Sequence, residues 1–238
     1  MVYYRKFLML PHRHIGNTRP DQWLGMVDAL YAIAMTLLAL EVPSNFFEYF
    51  NLFVAQQNTF FLLRGLYSIL TYTIVFLIIY ELWCYHKTIL NLAQKELTRR
   101  QNLISGLLLA NICLIPAWAS FLMKTHVDFY AKNRTFSGHP ISILILFAPL
   151  LVATAFWLVS QLCPEKTSES ATIETRTIYR AAIQRTIIFI AISIYFTANA
   201  LWPSIPEVHL DLIILAYIIY SFNQDSIHHL FRNTPWKR

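Results

Sequence analysis

The chain has 238 residues, of which 56% are hydrophobic and 13% are charged, and it carries a formal net charge of +6. Soluble domains usually contain about 25% charged residues, so this composition excludes an ordinary soluble fold and predicts an all-α polytopic membrane protein. The three cysteines have no paired spacing, which argues against a disulfide framework or a zinc site. No enzyme motif is present, and no metal or other cofactor is predicted.

Apolar segments follow one another along the chain. Crossing the roughly 30 Å of bilayer hydrocarbon takes about 20 apolar residues, and six segments reach or approach this length, the sixth being short. We therefore expect a cytoplasmic segment 1–22, a six-helix transmembrane domain 23–222 and a cytoplasmic tail 223–238. The six segments cover residues 23–42, 60–84, 102–123, 140–162, 184–202 and 208–222.

Between the spans, residues 43–58 are expected to form an outer loop and residues 163–180 a polar cytoplasmic loop. Pro116 is expected to kink or end the third span, because proline removes one helical hydrogen bond.

Lysine and arginine are distributed unevenly over these loops. Of the 19, 15 fall in the N-terminal segment, the second and fourth loops and the C-terminal tail, and the remainder are Lys124, Lys132, Arg134 and Arg64. This is the positive-inside pattern, and it predicts that both termini are cytoplasmic. The basic charge is thereby explained by membrane topology, and no nucleic-acid partner is expected.

The first span sorts its side chains onto three faces when it is wound at about 100° per residue. One stripe is bulky and apolar and either lines a narrow pore or makes ordinary helix contacts. A second stripe contains only small residues, which allow transmembrane helices to approach closely. The third stripe contains the only charge. In that order, the stripes are Met26, Leu30, Ile33, Leu37 and Leu40; Gly25, Ala29, Ala32, Thr36 and Ala39; and Leu24, Asp28, Tyr31, Met35 and Leu38.

Two acids in these spans need partners, because an unpaired charge is costly in the membrane. Asp28 is either a cation or proton site or, as we favour, a clamp between helices. Trp83 and His86 are candidate donors to it at a similar depth. Glu81 could pair with His86 or with a loop arginine, or lie in a wet cavity.

The run from Asp28 to Pro43 resembles the first span of prokaryotic members of the transmembrane protein 175 family of potassium-permeable channels. That family has an Arg-x-x-x-Phe-Ser-Asp motif, followed by an apolar tract that ends in glutamate. Gln22 replaces the motif's arginine here, and Arg19 is a possible substitute. The acid and the tract are matched by Asp28, Ala32, Ile33, Thr36, Leu37, Leu38, Leu40 and Glu41, while Met26 and Val27 replace Phe-Ser. The later spans are similar at Trp83, His86, Asn102, Leu103 and Pro116.

The resemblance implies a homotetramer in the cell membrane, with four first helices around a weakly selective pore for potassium and other monovalent cations. Ile33, Leu37 and Leu40 would form the constriction, with Thr36 and Glu41 beside it. A structural network would contain Asp28, Trp83, His86 and Asn111. A proton channel that uses Asp28, Glu81 and His86 as a relay remains an alternative, and a small-solute transporter or a membrane scaffold is a further one.

Overall fold

A computed structural model describes residues 20–92, 97–131, 147–163, 173–201 and 219, and the regular structure within these ranges is helical. The predicted sixth span, the C-terminal tail and Arg19 lie outside the described residues, apart from position 219. We number the helices in chain order. They are α1 (Pro20–Gln56), α2 (Thr59–Leu92), α3 (Arg99–Ala131), α4 (Phe147–Leu162) and α5 (Ile173–Leu201).

Four of these helices are long and apolar enough to cross a membrane, and α4 is a shorter apolar helix. The four candidate spans are Trp23–Gln56, Thr59–Leu92, Arg99–Phe121 and Thr175–Tyr195. They agree with the predicted first, second, third and fifth spans, and α4 lies within the predicted fourth.

The predicted outer loop at 43–58 is wrong, because α1 continues through Pro43 to Gln56. Proline inside a helix removes one hydrogen bond, but the helix beyond it is held by packing against α2. Tyr49 and Phe61 bury each other in a small cluster between the two helices. Only residues 57 and 58 separate the helices, and Gln57 has a positive φ of 50° that suits this tight reversal.

Pro116 does not end the third span, since α3 continues to Ala131, and a kink there stays a prediction. One other predicted boundary is wrong. The predicted cytoplasmic loop at 163–180 is helical from Ile173 onward. There Thr175 and Ile178 are buried, so tertiary contacts stabilise a stretch whose composition is typical of a loop.

The helices form a bundle in which α1 packs against α2 and α3, while α4 packs against α3 and α5. The interior is apolar and aromatic, and Phe156 of α4 stacks on Phe189 of α5 with ring centroids 5.9 Å apart. Gly106 of α3 faces Trp23 of α1, and a Cβ there would lie at an ordinary contact distance of 3.9 Å from the indole.

Candidate functional site

The three stripes of α1 have different environments in the bundle. The stripe with the acid faces the interior, and its members Tyr31 and Leu38 are essentially inaccessible. The bulky stripe faces outward, with exposed fractions of 53% at Ile33, 51% at Leu37 and 68% at Leu40. A subunit that buries one face of α1 so completely leaves the other faces available to lipid or to another chain.

The small-residue stripe is also exposed, so it does not pack against the helices that the structure describes. A Cβ built on Gly25 would meet nothing within 4 Å. This stripe therefore provides a smooth surface beside the bulky one. Close helix packing there would need a partner other than the described helices.

Two polar residues flank the bulky stripe. The hydroxyl of Thr36 donates to the carbonyl of Ala32 at 2.7 Å, which is the common intrahelical bond of threonine. Its oxygen keeps lone pairs on an exposed part of the helix. Glu41 is half-buried and directly follows Leu40 of the bulky stripe.

Asp28 joins α1 to α2 through two donors. The indole Nε1 of Trp83 donates to Oδ1 at 2.7 Å, and Nζ of Lys87 lies 3.0 Å from Oδ2. The Lys87 ammonium also lies 4.7 Å from the centroid of the Trp83 ring. The Asp28 carboxylate is thus held by one neutral and one charged donor from a single face of α2.

Lys87 was missed because it was counted among the basic residues of the second loop. The structure places it within α2, which extends to Leu92. Its position four residues after Trp83 was the available signal, since residues four apart share one face of a helix.

His86 makes different contacts from Trp83. Its Nε2 lies 3.1 Å from the hydroxyl of Ser105 on α3, and its ring meets Tyr31 edge to face at 6.0 Å. Asn111 is also buried on α3, and its Oδ1 has no hydrogen-bond partner within the described part of the chain. His86 thus contacts α3 and α1 from α2, and its partners differ from those of the Asp28 carboxylate.

Glu81 is paired with Arg185 of α5. The guanidinium donates through Nη2 to Oε1 at 2.9 Å and through Nε to both oxygens, and Tyr85 donates to Oε1 at 2.6 Å. Both partners of the pair are at most 5% exposed. The charge count includes Arg185 with the basic residues of the fourth loop, although it lies in the predicted fifth span and in the middle of α5.

These contacts separate the three titratable groups. Asp28, Glu81 and His86 each bond to different partners. Within the described ranges, no group of three or more His, Cys, Asp or Glu residues is arranged to hold a metal ion. Through these contacts Asp28, His86 and Glu81 link α2 to α1, α3 and α5, respectively.

Comparison with families of known proteins gives a match for part of the chain. Residues 24–116 match the model of the family described as endosomal/lysosomal potassium channel TMEM175. No curated protein and no solved structure matches the chain. The matched segment begins within α1, includes all of α2 and ends at Pro116 of α3, so it contains the exposed bulky stripe and the Asp28 contacts. Residues 24–116 of this membrane protein are therefore similar to the TMEM175 family, which is a family of potassium channels and not of enzymes.

Proposed function

We propose that this protein is a potassium-permeable, weakly selective cation channel whose first helix lines the pore. The observation that carries the proposal is the outward exposure of Ile33, Leu37 and Leu40 on a helix that belongs to the matched segment. Three large aliphatic side chains at alternating spacings of four and three occupy one face of α1. In a channel family, such a face is suited to an apolar constriction.

The proposed assembly is a homotetramer of six-span subunits in the cell membrane, with cytoplasmic termini. Four copies of α1 would surround the axis, and the small stripe would allow neighbouring helices to approach closely. The domain division 1–22, 23–222 and 223–238 belongs to this proposal. It is supported by the distribution of lysine and arginine.

The mechanism follows from the chemistry of the constriction. Aliphatic side chains cannot replace the water shell of a cation, so rings of Ile33, Leu37 and Leu40 would gate by dewetting. Selectivity would then depend on the cost of partial dehydration and would be weak. The Thr36 oxygen could contact a partly dehydrated ion, and Glu41 would raise the cation concentration at the outer mouth.

Asp28, Trp83, His86 and Asn111 are proposed as a structural network outside the conduction path. Asp28 is five residues before Ile33, which corresponds to about 140° around the helix. The acid and the constriction therefore belong to different faces of α1. The contacts of Asp28 with α2 support a clamp that fixes the orientation of the pore helix.

Single-channel recording after reconstitution in liposomes tests the proposal. Ile33→Asn and Leu37→Asn should each raise the open-state conductance and weaken the preference for potassium over sodium, because a polar ring is easier to wet. Leu114→Asn is a matched control, since Leu114 is 49% exposed and lies on α3. It should leave conductance and selectivity unchanged.

Unchanged currents in both α1 variants would rule out pore lining by this stripe. Acid-driven proton flux without potassium flux in the unmodified protein would instead indicate a proton channel. A complete lack of channel-like current would leave the transporter or scaffold alternatives.

A further inference from the structure

The bulky stripe of α1 does not stop at Leu40. The same alternation of four and three residues continues through Pro43 into the part of α1 that the sequence had placed in a loop. We call this line of residues the α1 seam. Every member except the half-buried Leu30 is exposed. The α1 seam consists of Met26, Leu30, Ile33, Leu37, Leu40, Ser44, Phe47, Asn51 and Val54.

The α1 seam has the periodicity of a coiled coil. Spacings of four and three average 3.5 residues, which is the heptad repeat that keeps one line of side chains facing a partner helix along its whole length. An α-helix without supercoiling has 3.6 residues per turn, so the line would slowly drift around an isolated helix. Four heptads in register from Met26 to Val54 favour a helical partner over lipid.

The membrane is too thin to cover the outer part of the seam. From Trp23 to Val54 is 31 steps, or roughly 46 Å of helix, against about 30 Å of hydrocarbon. With Trp23 at the inner interface, Val54 lies beyond the outer headgroups, and a helix tilt of about 20° hardly changes this. Val54 and Phe47 are nevertheless both 59% exposed in the subunit.

Contacts with α2 keep the outer half of α1 in place beyond Pro43. Asn45 is fully buried and donates to the hydroxyl of Tyr72 at 2.6 Å. Gly65 lets the helices approach closely, since a Cβ there would lie 3.2 Å from Cδ2 of Phe46. These contacts bury one side of the outer half and turn the seam away from α2.

We propose that α1 helices from neighbouring copies of this chain remain together along the seam as far as Val54, as a parallel coiled coil that extends the pore beyond the membrane. The proposal rests on the proposed function for its orientation of α1 toward a common axis. The occupant of the exposed outer seam is thus a second copy of this chain.

The outer seam differs chemically from the inner one. Between Met26 and Leu40 all its members are apolar, whereas Ser44 and Asn51 introduce polar rings that alternate with Phe47 and Val54. A polar residue at a core position of a coiled coil sets register and oligomeric state. Phe47 would form a second apolar ring outside Leu40. The Asn51 carboxamides would face hydrated cations on their way to the membrane-spanning part.

Cysteine cross-linking in liposomes tests the outer seam. Val54→Cys and Asn51→Cys are introduced separately after Cys84, Cys113 and Cys163 are replaced by alanine, and each variant is treated with an oxidant or a short bismaleimide. Facing core positions of neighbouring helices are close enough for such links. We expect part of the monomer band to shift to the size of a dimer on a denaturing gel. For the oxidised samples, the gel is run without reducing agent so that the disulfide is kept.

Gln56→Cys is the matched control, because Gln56 is exposed near Val54 but lies about 200° around the helix from it. This variant should keep the band size of a monomer on the denaturing gel. Cross-linking of Gln56→Cys as strongly as Val54→Cys would overturn the proposal, since contact would not be specific to the seam.

Leu37→Cys separates this inference from the proposed pore. Cross-links at Leu37→Cys but at neither outer position would show that the helices splay apart after Pro43, which overturns the outer seam and leaves the pore. Links at the outer positions but not at Leu37→Cys would support the outer seam and count against pore lining by the inner half.

Discussion

Two ion pairs connect α2 to its neighbours, and they differ mainly in burial. Glu81 and Arg185 join α2 to α5 with side chains that are 3% and 5% exposed, whereas Asp28 and Lys87 join α2 to α1 with side chains that are 44% and 35% exposed. Breaking the two ion pairs should therefore reduce the stability of the protein by different amounts. Removing one member of a buried pair leaves a charge without solvent, while water can replace the partner of an exposed charge.

The two members of the buried pair should also differ in the stability cost of their substitution, because Glu81 and Arg185 respond differently to the loss of the partner. A carboxyl group can take up a proton and become neutral, but an arginine cannot lose its charge in a protein. The comparison thus predicts losses of stability of three sizes. Substitution of Glu81 should cost the most, substitution of Asp28 less, and substitution of Lys87 the least.

Glu81→Gln should destabilise the protein by about 3 to 5 kcal/mol, because it leaves the buried guanidinium of Arg185 without its carboxylate. Arg185→Gln should cost less, since Glu81 can neutralise itself by protonation. The measurement is the fraction of monodisperse protein that survives heating in detergent, followed by size-exclusion chromatography.

The combined variant Glu81→Met with Arg185→Met is the control for this prediction. Replacing both charges by apolar side chains should recover much of the lost stability, as buried pairs often tolerate such exchange. Stability of Glu81→Gln equal to that of the unmodified protein would contradict the importance of the pair.

Asp28→Ala should have an intermediate effect of about 1 to 2 kcal/mol, since it removes the acceptor of both Trp83 and Lys87 from a partly exposed site. We expect the assembled oligomer to become less stable while the preference for potassium over sodium changes little. Oligomer content is measured by gel filtration, and ion preference by the reversal potential under bi-ionic conditions.

Asp28→Asn is a useful companion variant, because the amide oxygen can still accept from Trp83. It should retain more stability than Asp28→Ala. A normal oligomer with altered ion preference would assign Asp28 to the conduction path and refute its structural function.

Lys87→Met should have the smallest effect, at most about 0.5 kcal/mol, because an exposed ion pair contributes little and methionine keeps the apolar contact with Trp83. The small loss should disappear at high salt, where the pair of the unmodified protein is screened. A loss larger than that of Asp28→Ala in the same heating assay would show that Lys87 has a further function.

Much of the architecture was predictable from the sequence because hydrophobic length and helical periodicity are local properties. Apolar runs located the spans that begin near Trp23 and Thr59, and the resemblance to the channel family rested on the tract that starts at Asp28. Winding that tract at the helical angle also separated Asp28 from Ile33. The structure shows the corresponding stripes on the buried and exposed faces of α1.

Other features could not be read from local pattern. Glu81 and Arg185 are 104 positions apart, and only the packing of α5 against the rest of the bundle brings them within hydrogen-bond distance. The helical continuation past Pro43 was missed for a related reason. Proline is a local signal for a break, whereas the contacts of Asn45 and Phe46 with α2 that hold the helix together are distant in sequence.

The sequence by itself determined that this is a helical membrane protein, that its first span has three chemically distinct faces, and that it is similar to a family of potassium channels. These conclusions depend on transfer of apolar segments into lipid and on the helical repeat, neither of which needs a neighbour. Only the tertiary structure decided which face of α1 is buried, which partners satisfy Asp28 and Glu81, and how far α1 extends. Burial and pairing are properties of two surfaces in contact, and one segment of sequence specifies only one of them.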